Sequence, residues 1–144
     1  MTLSATTTSS MAELFIDTSY LIAALDPIDR NHETAIELSR VLRTAPPITT
    51  NHVVGECWTF ARRRYGHAAA VKLVDALRRS DRYRIVQAGV EIERSAHEWL
   101  RRHDEREYSF VDAVSFEVMH DHNILDALAF DRDFHAAGFR TLVP

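Results

Sequence analysis

Glu13-Leu14-Phe15-Ile16-Asp17 is a short apolar run that stops at an acid, the pattern of a buried strand. Thr18 to Leu25 follows as a short helix, stopped near Asp26-Pro27. Outward from there, Asn31 to Thr44 carries Ala35, Leu38, Val41 and Leu42 at helical spacing and ends at Pro46-Pro47. Ile48 to Thr50 reads as a second brief strand. Asn51 to Tyr65 and His67 to Arg79 read as helices separated by Gly66. Tyr83 to Val86 is a strand, Val90 to His103 a helix with the stripe Ile92, Ala96, Trp99 and Leu100, and Ser109 to His120 a helix apolar around most of its circumference. Ala127 to Phe130 and Phe139 to Val143 are the last strands. Strands alternating with helices predict an α/β fold with a parallel sheet covered on both faces. In such sheets ligands sit beyond the carboxyl ends of the strands.

The chain has 144 residues, enough for one core and one domain over residues 12–144. Residues 1–11 are rich in Ser and Thr, without a basic start or an apolar stretch, and read as a disordered tail or as sequence upstream of a start at Met11. No run is long and apolar enough to cross a membrane. The single cysteine, Cys57, allows no internal disulfide and fits a cytoplasmic protein. The formal net charge of −4 argues against nucleic-acid binding by surface charge alone. Two bound divalent cations would bring the loaded protein close to neutrality.

The acids fall at informative places. Asp17 ends the first strand and Asp131 ends the strand Ala127 to Phe130, so both should emerge at one edge of a parallel sheet. Taken alone, each reads first as a helix cap. Glu56 shares the helical stripe of Val53, Cys57, Phe60 and Ala61, where a carboxylate needs either an Arg or a metal beside it. Asp112 stands in Ser109-Phe110-Val111-Asp112, which resembles a capping box with Asp at the acidic position, on a mostly apolar helix. Asp133 follows two residues after Asp131. Four converging acids without a cation would repel and raise one another's pKa. All-oxygen ligation selects hard ions such as Mg²⁺ or Mn²⁺, and phosphodiester hydrolysis is a common use of such sites.

Four segments occur together: Phe15-Ile16-Asp17-Thr18-Ser19, Thr49-Thr50-Asn51-His52-Val53-Val54-Gly55-Glu56, Ser109-Phe110-Val111-Asp112-Ala113, and Ala127-Leu128-Ala129-Phe130-Asp131-Arg132-Asp133-Phe134. In order and spacing they resemble the PIN domain, and within it the VapC-type toxins of bacteria and archaea. The resemblance implies a three-layer α/β/α sandwich with the acids gathered in a groove. It implies Asp17, Glu56 and Asp112 as the core acids, Asp131 as the fourth, and Asp133 as a substitute or supporting partner. Thr18 and Ser19 would hold a carboxylate or a water. It also implies a Mg²⁺- or Mn²⁺-dependent endoribonuclease, a VapB-type antitoxin partner and a homodimer. Ala129 departs from the pattern, standing where a Thr is common. Metal-assisted hydrolysis has no need of the ribose 2′-hydroxyl, so RNA as substrate follows from the resemblance alone.

Arg62-Arg63-Arg64 is the most obvious phosphate-contacting cluster, ahead of Arg78-Arg79 and Arg101-Arg102. All three sit near predicted helix C-termini, where cations favour the dipole anyway. His120 and His122, two apart on a helix, are poorly placed to share an ion. Trp58, Phe60, Trp99 and Phe116 read as core or interface residues. A receiver-like domain would want a late Lys, and the only Lys is Lys72; a haloacid-dehalogenase-type phosphatase would want Asp at position 19, which is Ser. The remaining alternative is a PIN-like module that binds RNA or protein without cutting, against which stands the presence of every core acid.

Overall fold

A computed structural model describes residues 13–41 and 45–142. The N-terminal tail expected over residues 1–11 lies outside the described residues, as do Leu42 and Thr44 of the second helix. The elements are β1 (Leu14–Ile16), α1 (Thr18–Leu25), α2 (His32–Val41), β2 (Ile48–Thr50), α3 (Asn51–Tyr65), α4 (His67–Arg79), β3 (Arg84–Val86), α5 (Val90–Arg102), α6 (Phe110–Asp121), β4 (Asp126–Leu128), α7 (Asp133–Ala136) and β5 (Arg140–Thr141).

The five strands form one parallel sheet in the order β3-β2-β1-β4-β5, flanked by the seven helices. β1 is central and pairs with β2 on one side and β4 on the other. Connections from β1 through β2 to β3 run one way across the sheet, and those from β3 through β4 to β5 run back. With right-handed crossovers this puts α1–α4 on one face and α5–α7 on the other. The packing agrees within each face, since α1 meets α2 and α3, α3 meets α4, α5 meets α6, and α6 meets α7, while α3 and α6 also meet each other. β1 and β2 are buried at every position, whereas β3 and β5 at the edges are partly exposed. That is the burial expected of inner strands covered on both faces.

α6 is buried continuously from Asp112 to Phe116 and again at Val118 and Met119, as its all-round apolar sequence predicts. Phe116 meets Trp99, Phe134 and Phe139 at ring-centroid distances of 5.0, 5.0 and 5.4 Å, so this side of the core is largely aromatic. Trp58 and Phe60 are only half-buried. Two strands differ from expectation. β4 covers Asp126–Leu128 rather than 127–130, and β5 covers Arg140–Thr141, without Phe139 or Leu142, the expected end at Val143 lying outside the described residues. The cause at β4 is that Phe130 N leaves the ladder and donates to the Ser19 hydroxyl. Asp131 therefore follows the strand on a short loop instead of closing it.

Candidate metal centre

β1 and β4 run side by side with Ile16 opposite Leu128, so the residues after them leave the sheet at the same edge. Asp17 is the first residue beyond β1 and the N-cap of α1, and its Oδ2 accepts from Ser19 N at 3.1 Å and from Ser19 Oγ at 2.6 Å. Ser19 Oγ in turn accepts from Phe130 N at 2.9 Å. One hydroxyl thus ties the first acid to the loop that carries Asp131. Asp131 Oδ1 accepts from Asp133 N at 3.0 Å, which fixes the turn into α7. Asp112 arrives from α6 through a complete capping box: Ser109 N donates to Asp112 Oδ2 at 3.2 Å and Asp112 N to Ser109 Oγ at 3.0 Å. The capping and clustering roles read from the sequence as alternatives are therefore met by the same side chains.

Asp17, Asp112 and Asp131 bring carboxylate oxygens within 4.8 Å of one another. Burial, aided by Asp131 and then Asp112, pushes Asp17 up to about 8 against the hydrogen bonds from Ser19. Burial and the charges of Asp131 and Asp133 push Asp112 up to about 7. Asp131 is raised as well, chiefly by burial. Among the described residues no Arg, Lys or His forms a salt bridge with any of the three. Such a group is held together either by protons or by a cation, and three hard oxygen donors suit a divalent ion. Beside it, Thr18 Oγ1 is buried without a hydrogen-bond partner.

Glu56 does not join this group. The buried stripe of α3 is Val53, Val54, Cys57 and Ala61, and Glu56 lies at its margin, half-buried. There it lines a concave surface of about 500 Å³ with Asn51, His52, Gly55, Thr59 and Val111. Of the four acids expected to converge, three meet within 4.8 Å, and Glu56 lines the neighbouring groove between α3 and α6. Glu56 and Asp17 still share a neighbour: both charges, after burial, hold the Cys57 thiol up at about 12. Cys57 is fully buried and inert as a nucleophile.

Asp133 is also drawn elsewhere. Its Oδ1 takes both Nε and Nη2 of Arg106, at 3.0 and 2.9 Å. Sequence reasoning missed Arg106, whose loop between α5 and α6 carries no periodic signal. Arg62, Arg63 and Arg64 are exposed in the last turn of α3, and Arg63 and Arg64 share a second concavity with Glu56, Thr59 and Phe60. His120 is exposed and His122 Nδ1 bonds to Val118 O, so this pair makes the end of a helix rather than a metal site.

Residues 14–140 match the PIN domain. The chain belongs to the PIN-domain family. This PIN domain is 48% identical over 133 residues to the 23S rRNA-specific endonuclease VapC20 of Mycobacterium tuberculosis, covering 91% of the chain and 98% of that protein. The crystal structure of M. tuberculosis VapC20, described as a sarcin–ricin loop cleaving toxin, superposes with a TM-score of 0.86 at 46% identity, over 92% of this chain and all of that one. FitAcB from Neisseria gonorrhoeae shares the PIN fold at a TM-score of 0.66 and 16% identity, over 89% and 95% of the two chains.

Proposed function

We propose that this PIN domain is a VapC-type endoribonuclease toxin whose substrate is 23S ribosomal RNA. The observation that carries the reading is the unneutralised cluster of Asp17, Asp112 and Asp131, in a chain that is 48% identical to a 23S rRNA endonuclease over nearly its whole length. The three carboxylates hold Mg²⁺ or Mn²⁺, and their capping partners keep the oxygens aimed at one another before any ion arrives. When bound, such an ion supplies charge stabilisation to a phosphoryl oxygen and lowers the pKa of water. Glu56 orients the attacking water from the α3 wall. Arg62, Arg63 and Arg64 continue that wall as phosphate contacts for the RNA strand. The partner that restrains the enzyme is a VapB-type antitoxin, and the working form is a homodimer.

The test is incubation of antitoxin-free protein with ribosomes and with total RNA, with Mg²⁺ or Mn²⁺ or with chelator, followed by mapping of the ends. Discrete, ion-dependent cuts in 23S RNA that leave 5′-phosphates, absent in Asp17→Asn, are the expected result. A folded protein that leaves 23S RNA intact under all these conditions overturns the reading.

A further inference from the structure

The Arg106–Asp133 pair stands beside the carboxylate cluster without belonging to it. Asp133 is two residues from Asp131 and its backbone N–H donates to Asp131 Oδ1. The Arg106 guanidinium is within electrostatic reach of both Asp133 and Asp131. Its grip is one-sided, because Nε and Nη2 both settle on the single oxygen Oδ1. A guanidinium has five N–H donors in one plane, and a single acceptor oxygen leaves most of that fork for another anion. The side chain is 41% exposed and Asp133 is 21% exposed, so the pair sits at the rim, where an ion pair adds little to stability and is cheap to rearrange.

We propose that Arg106 is an RNA-binding residue that takes a phosphate next to the scissile bond, with Asp133 as the side chain that parks it there in the free enzyme. The planar fork suits a phosphate better than it suits one carboxylate oxygen. A net charge of −4 gives the chain no broad positive field to hold the strand, so a phosphate near the cluster needs a cation placed for it. Arg106 is a cation at the mouth itself, whereas Arg63 and Arg64 lie along α3. The proposal rests on the nuclease reading above and adds a residue to it.

The experiment is steady-state cleavage of an RNA fragment carrying the sarcin–ricin loop, in Mn²⁺, over a series of KCl concentrations, alongside melting temperatures. Arg106→Ala is expected to raise KM about tenfold with kcat little changed, and to make the salt dependence of log kcat/KM shallower by about 0.7, one single-strand phosphate contact. Arg106→Lys restores the salt slope but only part of KM, because the charge returns without the fork. Asp133→Asn lowers KM, since the carboxylate that competes with the phosphate is gone. If Arg106→Ala and Asp133→Asn lose activity together and in step with melting temperature, the pair is a structural latch and the proposal fails. It fails equally if Arg106→Ala keeps the wild-type KM and salt slope. Absence of cleavage by the wild-type chain would overturn the nuclease reading itself, a result distinct from either of these.

Discussion

Ser19 Oγ donates to Asp17 Oδ2 at 2.6 Å, the usual length for a hydroxyl on a carboxylate. Because the same oxygen accepts from Phe130 N, Ser19 is the joint between the β1 and β4 ends of the site. Ser19→Ala removes one of the two donors to the Asp17 carboxylate and leaves Phe130 N without its partner. The expected cost is about 1–2 kcal/mol of stability and about 10- to 100-fold in Mn²⁺ affinity. Thermal melting and a Mn²⁺ titration check the two parts separately, and unchanged affinity would show that Ser19 only caps α1.

Asp17 and Asp112 are pushed up to about 8 and about 7 from a usual value of 3.8, so the folded, ion-free protein binds protons more tightly than the unfolded chain. Between about pH 4 and 8 the stability they contribute therefore falls as pH rises. In chelator the melting temperature is expected to be higher near about pH 5 than near about pH 8, by at least about 3 °C. Saturating Mn²⁺ should reverse the trend, because the ion favours the deprotonated carboxylates. A chelated protein that melts lower at acid pH would contradict this.

Asp17→Asn replaces a buried carboxyl that ionises only at a cost by a neutral amide, while keeping an oxygen for the Ser19 hydrogen bonds and a good N-cap residue. Near neutral pH, in chelator, the variant should melt at or above the wild-type temperature. The upward shift produced by Mn²⁺ and the cleavage of RNA should both disappear. Differential scanning calorimetry with and without the ion makes the comparison.

Glu56 stands apart from the three clustered carboxylates and should separate ion binding from cutting. Glu56→Gln is expected to keep most of the Mn²⁺-induced rise in melting temperature and to lower kcat at least about 100-fold. Loss of the thermal response instead would mean that Glu56 is drawn into the coordination sphere when the ion arrives.

Much of this was legible in the sequence because period and punctuation are local. The apolar run before Asp17 and the capping box at Ser109 each depend on a few neighbouring residues, and each is found where it reads. What local pattern does not carry is side-chain direction at an element's margin. Glu56 shares the spacing of the buried stripe, yet a rotation of tens of degrees about α3 decides whether it meets Asp17 or the groove. The end of β4 was likewise set by a distant hydroxyl, since Phe130 N finds Ser19 instead of its neighbouring strand. Arg106 had no sequence signal because its partner, Asp133, lies 27 residues away, beyond α6 and β4.

The pairing of β1 with β4 has a consequence for when the molecule can act at all. Ser19 and Phe130, 111 positions apart, must meet before the cluster exists, and Asp131 follows both other acids along the chain. A growing chain that has formed β1, β2 and β3 has much of a sheet and only one of the three clustered acids. The site therefore cannot assemble until β4 has been made and has paired with β1.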